Sequence, residues 1–410
     1  MELRLHRVPQ SLKLENHRGI RRFSLWFLLF DSVILCVTST PNNTLIHNLL
    51  LKTHKWSETD FITTHFSIPM QNFEAFRELI NTPRNIVITT HFKPDADALG
   101  SSLGLAGYLK KKGHKVSVIT PSDYPSFISW MSGNEEVMNY ENYKIRGRTN
   151  KLIANADVIF CLDFSVLARI EAMAEPVRQS KAVKVMIDHH TFPEDFAEFV
   201  YHDTKAAATA QLIFQLIELL DEKYLLDILI CECLYAGIMT DTGSFRHPST
   251  TPAVHRIAAD IMELGVNTNL IHRRIYDSST VERMKFLGYV LSEKLIVLPE
   301  YRVAYFTVTE EELKRFNSQT GDTEGIVNYG LQIEGIVMSI IIVDRPEAVK
   351  MSFRSVEEFA VNQIASKHFS GGGHKNASGG KTTGIGLAGT VEKLMSILPE
   401  YQEMLLSVKS

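Results

Sequence analysis

Cysteine is scarce in this sequence: four residues in 410, at Cys36, Cys161, Cys231 and Cys233. That is too few for a disulfide scaffold, and Cys231 and Cys233 form CEC in an apolar helical context, not a CxxC pair. Buried free thiols in a reducing, cytoplasmic setting are expected. Excess positive charge is also missing. Lys and Arg total 43 against 47 Asp and Glu, a net charge of -4. This argues against a protein that coats long nucleic acid, but not against a local site for a small anion. No internal repeat or low-complexity tract is present, which argues against a solenoid or a biased tail.

Long apolar runs are lacking too. The run Phe23 to Val37, inside RGIRRFSLWFLLFDSVILCV, is short for a membrane span and is interrupted by Asp31. Its basic lead is like that of a signal peptide or anchor, yet no clear small-residue cleavage site follows. Residues 1–69 fit a weakly ordered extension, an interfacial anchor, or an upstream stretch outside the working protein. The last is favoured, because everything chemical lies after Met70, and no membrane partner is expected.

What is present is an ordinary soluble composition, 45% hydrophobic and 22% charged, long enough for two or three domains. FEAFRELI predicts a first helix with Phe73, Phe76, Leu79 and Ile80 near one face. Buried-strand patterns follow at NIVITTH, HKVSVIT, DVIFCLD and AVKVMID. Helical stretches lie between and after them. They are ALGSSLGLAGYLKKKG, whose small residues suit close approach to a sheet, SVLARIEAMAEPV, AAATAQLIFQLIELL, and the long apolar YLLDILICECLYAGIMTDTG. The alternation predicts an α/β fold: a mainly parallel sheet with helices on both faces. A smaller α/β domain follows, with strands at YRVAYFTV, IEGIVMSIIIVD and AVKMSFRS, a glycine-rich turn region at SGGGHKNASGGKTTG, and a closing helix. The expected boundaries are 70–270 for the first domain, 271–298 for a connecting helical linker and 299–410 for the second.

Three of these strands end in acids or histidines: VITTHFKPDAD, VIFCLD and VMIDHH. In open α/β sheets ligands bind beyond the carboxyl ends of the strands. The three endings therefore predict one pole crowded with His91, Asp95, Asp97, Asp163, Asp188, His189 and His190, with Asp241 added from MTDTG. Such charge repels itself unless cations compensate. Oxygen and imidazole ligands without thiolates favour manganese, with magnesium, cobalt or iron as alternatives. A bridging Asp would let two cations share one acidified water. Singly, Asp97 or Asp163 would be read as a helix cap and each His as a satisfied polar residue. The ordered combination outweighs those readings.

HFKPDADALGSS, LDFS, DHH and DTGSFRH resemble the successive motifs of the DHH phosphoesterase superfamily. SGGGHKNASGG is similar to the signature of its DHH-associated C-terminal domain. From about Met70 onward the chain resembles the oligoribonuclease and pAp phosphatase (nanoRNase) group. The resemblance implies two manganese ions. One would take His91, Asp95 and Asp163, the other Asp97, Asp163, His189 and Asp241, with Asp163 bridging. Asp188 would orient a histidine, and His190 would act as donor or proton shuttle at the scissile phosphate. Arg354, Gly372, Gly373 and His374 would contact substrate from the small domain, with Arg246 and His247 as further phosphate contacts. His247 is equally well read as a loop cap before Pro248.

The activity implied is manganese-dependent hydrolysis of short oligoribonucleotides to mononucleotides, and removal of the 3′-phosphate from adenosine 3′,5′-bisphosphate (pAp). Short single-stranded RNA and pAp are the expected partners; duplex nucleic acid is not. The nearest rival is a cyclic or linear dinucleotide phosphodiesterase of the same superfamily. A pyrophosphatase fits the GGGH loop less well. A non-catalytic nucleotide sensor or RNA-binding module is disfavoured by the complete set of candidate ligands.

Overall fold

The computed structural model describes residues 70–409 and two short segments, 25–30 and 33–38. The segments are strands β1 (Leu25–Phe30) and β2 (Val33–Thr38), paired antiparallel in a unit, Met1–Phe66, distinct from Ser67–Ser410. The rest of the stretch read as an N-terminal extension lies outside the described residues. Among those described, no helix is long and apolar enough to cross a membrane.

The first sheet contains β3 (Asn85–Thr90), β4 (Lys115–Thr120), β5 (Met138–Asn139), β6 (Val158–Leu162), β7 (Val183–Asp188) and β8 (Phe199–His202). Their order is β5-β4-β3-β6-β7-β8, and every pairing is parallel. Why the central strands read as unbroken apolar runs is visible in their packing. Ile86 and Ile88 of β3 enter one core and Val87 the opposite one; Val158, Phe160 and Leu162 of β6 face the first, Ile159 and Cys161 the second. With side chains alternating across a sheet covered on both faces, neither parity can be polar.

The helix Ala96–Lys111 packs chiefly on the helix Ile228–Asp241. Its glycines do not serve the sheet, as their spacing suggested. A Cβ on Gly100 would lie 2.4 Å from the Cys233 carbonyl oxygen, one on Gly104 2.5 Å from Leu234 Cδ2, and one on Gly107 2.8 Å from Ile230 Cγ1. The bare side lets two backbones come together, so both helices hold their N- and C-terminal chemistry at fixed spacing.

Two expected helices are shorter than the patterns suggested. SVLARIEAMAEPV is a 3₁₀ stretch, Leu167–Met173, broken at Glu171, and then a helix Ala174–Gln179. Restarting at Ala174 puts Pro176 in a first turn, where its missing N–H costs nothing. The apolar helix opens only at Ile228, because Asp227 accepts from the Ile230 N–H (2.9 Å) as its N-cap.

The second sheet is mixed. It holds β9 (Leu295–Leu298), β10 (Val303–Val308), β11 (Met338–Val343), β12 (Val349–Ser355), β13 (Gly372–His374) and β14 (Ala377–Thr382) in the order β13-β14-β12-β11-β10-β9. Only β10 and β11 run parallel. The region SGGGHKNASGG, read as a turn, is the hairpin β13–β14, with Lys375 and Asn376 between the strands. Glycine allows it: a Cβ on Gly371 would sit 2.0 Å from the Gly379 carbonyl oxygen, and Gly373 has φ 140. The helix Val281–Glu293 leads into β9, so the end of the range 271–298 is a strand of this sheet.

Candidate metal centre

β3, β6 and β7 are neighbours and run parallel, so their carboxyl ends share one pole. His91 follows β3, Asp163 follows β6, and Asp188 ends β7 with His189 and His190 after it. Asp163 has φ 63, a left-handed turn that few non-glycine residues adopt. It is buried, and its N–H donates to the Ile187 carbonyl (3.1 Å), which pins the turn to the next strand.

Asp95 does two jobs. Its Oδ1 accepts from the Asp97 and Ala98 N–H groups (3.0 Å each), capping the helix Ala96–Lys111. Its Oδ2 lies 3.8 Å from His91 Nε2. The capping reading and the ligand reading are thus compatible in one residue. Asp97 is not the cap; it sits in the first turn, fully buried. Its Oδ2 accepts from Thr209 N–H (2.6 Å) and its Oδ1 from Ala210 N–H (2.8 Å), at the start of the helix Thr209–Leu219. That helix end satisfies a carboxylate with amides that have no partner of their own. Thr209 Oγ1 also donates to Asp163 Oδ1 at 2.9 Å. Gly237 makes the room, since a Cβ there would meet Asp97 Oδ1 at 2.6 Å.

Four groups of side chains result, in each of which one candidate ligand atom per residue lies within 4.8 Å of the others: His91, Asp95 and Asp163; Asp97, His189 and Asp241; Asp163, Asp188 and His190; and His189, His190 and His374. The first two carry the carboxylates that suit a cation. Asp163 lies between them, with Oδ2 3.3 Å from His91 Nε2 and Oδ1 3.4 Å from His189 Nε2. His189 Nε2 is also 3.4 Å from Asp241 Oδ2 and 3.9 Å from Asp97 Oδ2.

The histidine tautomers fit a cation. His91 Nδ1 faces the Phe92 carbonyl at 3.0 Å and His189 Nδ1 the Ala206 carbonyl at 3.2 Å. A carbonyl only accepts, so each Nδ1 carries the proton and each Nε2 turns a lone pair toward the carboxylates. His189 Nε2 is buried with no hydrogen-bond partner. An orphaned imidazole nitrogen among two buried carboxylates, Asp97 and Asp163, and the partly buried Asp241 is what a divalent cation would satisfy.

The electrostatics agree. Burial, then the neighbouring Asp163, pushes Asp97 well above the carboxylate range; burial, then Asp97, does the same to Asp241. Burial also opposes the charge on Asp163, but His189 and His91 outweigh it and hold this carboxyl well below the usual range. Burial lowers His189, yet Asp163 and Asp241 raise it to about 9.

Asp188 is also fully buried. Its Oδ1 lies 2.8 Å from His190 Nδ1 and its Oδ2 accepts from His190 N–H at 3.0 Å. This fixes the His190 ring, with Nε2 left for other work. His374 of β13 stacks on that ring and lies 4.8 Å from the His189 ring centre. Gly372 and Gly373 precede it on the same strand. Arg354 on β12 is partly buried, within reach of the charges of Asp241, Glu324 and Asp95. Arg246 and His247 serve the turn after Asp241: Arg246 Nε donates to the Gly243 carbonyl (2.8 Å), and the His247 ring packs on Gly243.

Sequence reasoning missed Thr209, Gly237 and Arg169. Thr209 and Gly237 are ordinary helix residues until Asp97 is placed beside them. Arg169, whose charge acts on both His91 and His374, lies in the 3₁₀ stretch that reads as a plain helix.

Residues 85–238 match the DHH family, N-terminal domain, and residues 300–405 match the DHHA1 domain. The chain is 31% identical over 315 residues to the bifunctional oligoribonuclease and PAP phosphatase NrnA of Thermus thermophilus, covering 77% of this chain and 89% of that one. It is 25% identical over 343 residues to the cyclic-di-AMP phosphodiesterase GdpP of Bacillus subtilis, covering 80% of this chain and 50% of that one. A solved structure of an exopolyphosphatase-related protein from Bacteroides fragilis superposes with a TM-score of 0.77 at 36% identity, covering 82% of this chain and 97% of that chain.

Proposed function

Because the chain belongs to the DHH family, carrying its N-terminal domain and a DHHA1 domain, we propose that this phosphoesterase hydrolyses short oligoribonucleotides to mononucleotides and removes the 3′-phosphate of pAp. The observation that carries the reading is the pair of ligand groups meeting at Asp163, with His189 Nε2 orphaned between carboxylates. The first group, His91, Asp95 and Asp163, would hold one divalent cation. Asp97, Asp163, His189 and Asp241 would hold the other. Oxygen and imidazole donors suit manganese, with magnesium or cobalt as alternatives. Cations held there would add Lewis acidity, lowering the pKa of water and neutralising phosphoryl charge.

The chain's own groups do the rest. Asp188 holds the His190 ring so that Nε2 can give a proton to the departing oxygen or a hydrogen bond to the phosphate. His374 covers one face of that ring. Arg354 suits a phosphate of the nucleotide, because a guanidinium offers paired donors to two oxygens. The NrnA-type relative has both activities in its name and is matched along most of its length. GdpP is matched along half of its own, and hydrolysis of cyclic di-adenylate is the second reading.

The experiment is a manganese-supplemented assay on one panel: a dinucleotide, a five-residue RNA, pAp, cyclic di-adenylate and pyrophosphate. Turnover of the RNAs and pAp above the other two is the expected result. Preference for cyclic di-adenylate would replace the proposal with the second reading, and turnover of none would overturn both.

A further inference from the structure

The segment that follows the histidine pair is tied down almost everywhere and strained at one place. The His190 carbonyl accepts from His202 Nε2 at 2.5 Å, and the Thr191 carbonyl from Ser165 Oγ at 3.2 Å. Glu194 N–H donates to the Ser165 carbonyl (2.7 Å), and its carboxylate accepts from Leu167 N–H (2.9 Å) and from Arg178 (3.0 Å). The Phe196 ring stacks on the buried Phe164, with centres 6.2 Å apart and planes 3° apart. Between these ties stands Phe192, at φ 61 and 84% exposed.

That conformation is unfavourable on two counts. A bulky side chain in the left-handed region crowds its own backbone. Pro193 comes next, and the residue before a proline is pushed towards extended backbone. Burial offsets neither cost, because the phenyl stays in water. A single exposed apolar side chain is ordinary. One forced outward on a left-handed backbone, in a loop tied on both sides and two residues from His190, is a different case. Strain of this kind persists where the surroundings impose it, and it clusters at functional sites.

A free phenyl face offers no charge and no hydrogen bond, only flat apolar area. Nucleobases stack on such rings whatever the pattern of their edges. Two residues span at most about 7 Å, comparable with the reach from a phosphate to the base of the same nucleoside. With His190 at the departing oxygen, Phe192 stands at the distance of the base that departs with it. We propose that Phe192 is a stacking platform for the base of the leaving nucleoside, in pAp and in a short RNA alike. The platform accepts every base and holds purines, with their larger faces, best. The inference rests on the oligoribonuclease and pAp phosphatase reading for its substrate class.

The test uses the full chain with Phe192→Ala, Phe192→Gly and Phe192→Trp. kcat/KM with manganese is measured on pAp and on its base-free analogue, in which hydrogen replaces the adenine. The unaltered protein and Phe192→Trp should favour pAp by about tenfold or more. Phe192→Ala and Phe192→Gly should lose that preference through a fall on pAp, with the base-free value unchanged. Phe192→Gly should melt at or above the Tm of the unaltered protein, since glycine adopts positive φ without steric cost. A preference kept in Phe192→Ala, or equal losses on both substrates, would overturn the platform. A lower Tm in Phe192→Gly would make the phenyl a structural residue and overturn it too. A second readout needs no turnover: fluorescence anisotropy, in EDTA, of a labelled five-residue RNA and of a base-free strand of the same length. If the unaltered protein cleaved neither RNA nor pAp, the reading on which the substrate class rests would fall. Base-dependent binding that disappears in Phe192→Ala would still support the platform, and unchanged binding would refute it.

Discussion

The imidazole of His374 lies stacked over that of His190, with ring centres 4.5 Å apart and planes 27° apart. One ring comes from the hairpin of the second sheet, the other from the end of β7. The second sheet thus places one of its side chains directly on the ring that Asp188 holds.

This contact separates two substitutions that sequence alone would treat alike. On the proposed assignment Arg354→Ala removes a phosphate donor and should cost roughly 1.5–3 kcal/mol, or about ten- to a hundredfold in kcat/KM, on pAp. It should cost little on bis-p-nitrophenyl phosphate, which is too small to engage the second domain. His374→Ala should impair both substrates, because it uncovers His190. Manganese content should be normal in both variants. Steady-state kinetics on the two substrates, with metal analysis, checks this. Equal losses on both substrates for Arg354→Ala would assign it a structural role.

Asp163 faces both histidines that present Nε2, so Asp163→Ala should weaken both cation sites. Titration of manganese into the metal-free variant should show neither tight site, and excess manganese should restore little activity. Asp241→Ala should spare the group His91, Asp95 and Asp163, leaving one tight site with severely reduced turnover.

Thr209 touches the same carboxylate from behind. Thr209→Val removes the 2.9 Å bond to Asp163 Oδ1. A hydrogen bond to a charged group is worth about 1.5–3 kcal/mol. Manganese affinity should therefore fall by about tenfold or more by calorimetry, and Thr209→Ser should recover most of it. Normal affinity in the valine variant would make the hydroxyl incidental.

Gly100 and Gly237 both let helices close, but only Gly237 faces a ligand. Each change to Ala should cost about 1–3 kcal/mol through overpacking, read as a lower Tm. Gly237→Ala should also weaken manganese binding, because its Cβ would displace Asp97. Gly100→Ala should leave that affinity near normal, since its Cβ meets the Cys233 carbonyl.

A pH effect is expected far from the metal pole. His114 accepts from the Arg84 N–H at Nδ1 (3.1 Å) and has Nε2 3.0 Å from the Ile80 carbonyl. Burial, more than its neighbours, pushes its pKa below the ordinary value of 6.5. The unfolded chain then takes up a proton that the folded chain refuses. Its contribution is complete above about pH 6.5 and is lost as the pH falls below that value. Tm should drop more between pH 7 and pH 5 in the native protein than in His114→Gln. Parallel curves would show that His114 does not contribute.

Much of the pole was legible because strand ends are local. NIVITTH, VIFCLD and VMIDHH each carry a strand signal and its terminal ligand in one continuous stretch, and parallel alternation brings the ends together. What was not legible depends on partners far along the chain. Asp97 and Thr209 are separated by 112 residues, and nothing in either helix announces that the start of one will cradle the acid of the other. The glycines of Ala96–Lys111 indicated close approach to a sheet, and what approaches is the helix Ile228–Asp241. Glycine spacing marks a bare face, and a helix or a sheet can cover it equally well. The hairpin β13–β14 was hidden for a related reason: glycine lacks a side-chain pattern, and its strand character comes from the edge of β12.

The candidate ligands are drawn from His91 to Asp241, and the ring that covers them comes later, at His374. On a ribosome this order becomes a sequence of events. A nascent chain that has released β3 and β6 can present only the first group of ligands. The second group waits for the helix that ends at Asp241, and the assembled pole waits longer for its cover. On the proposed assignment, a product truncated between these points would sequester manganese without being able to turn over nucleotide. Cation capture would then precede hydrolytic competence during synthesis, and the hairpin that carries His374 would complete the site.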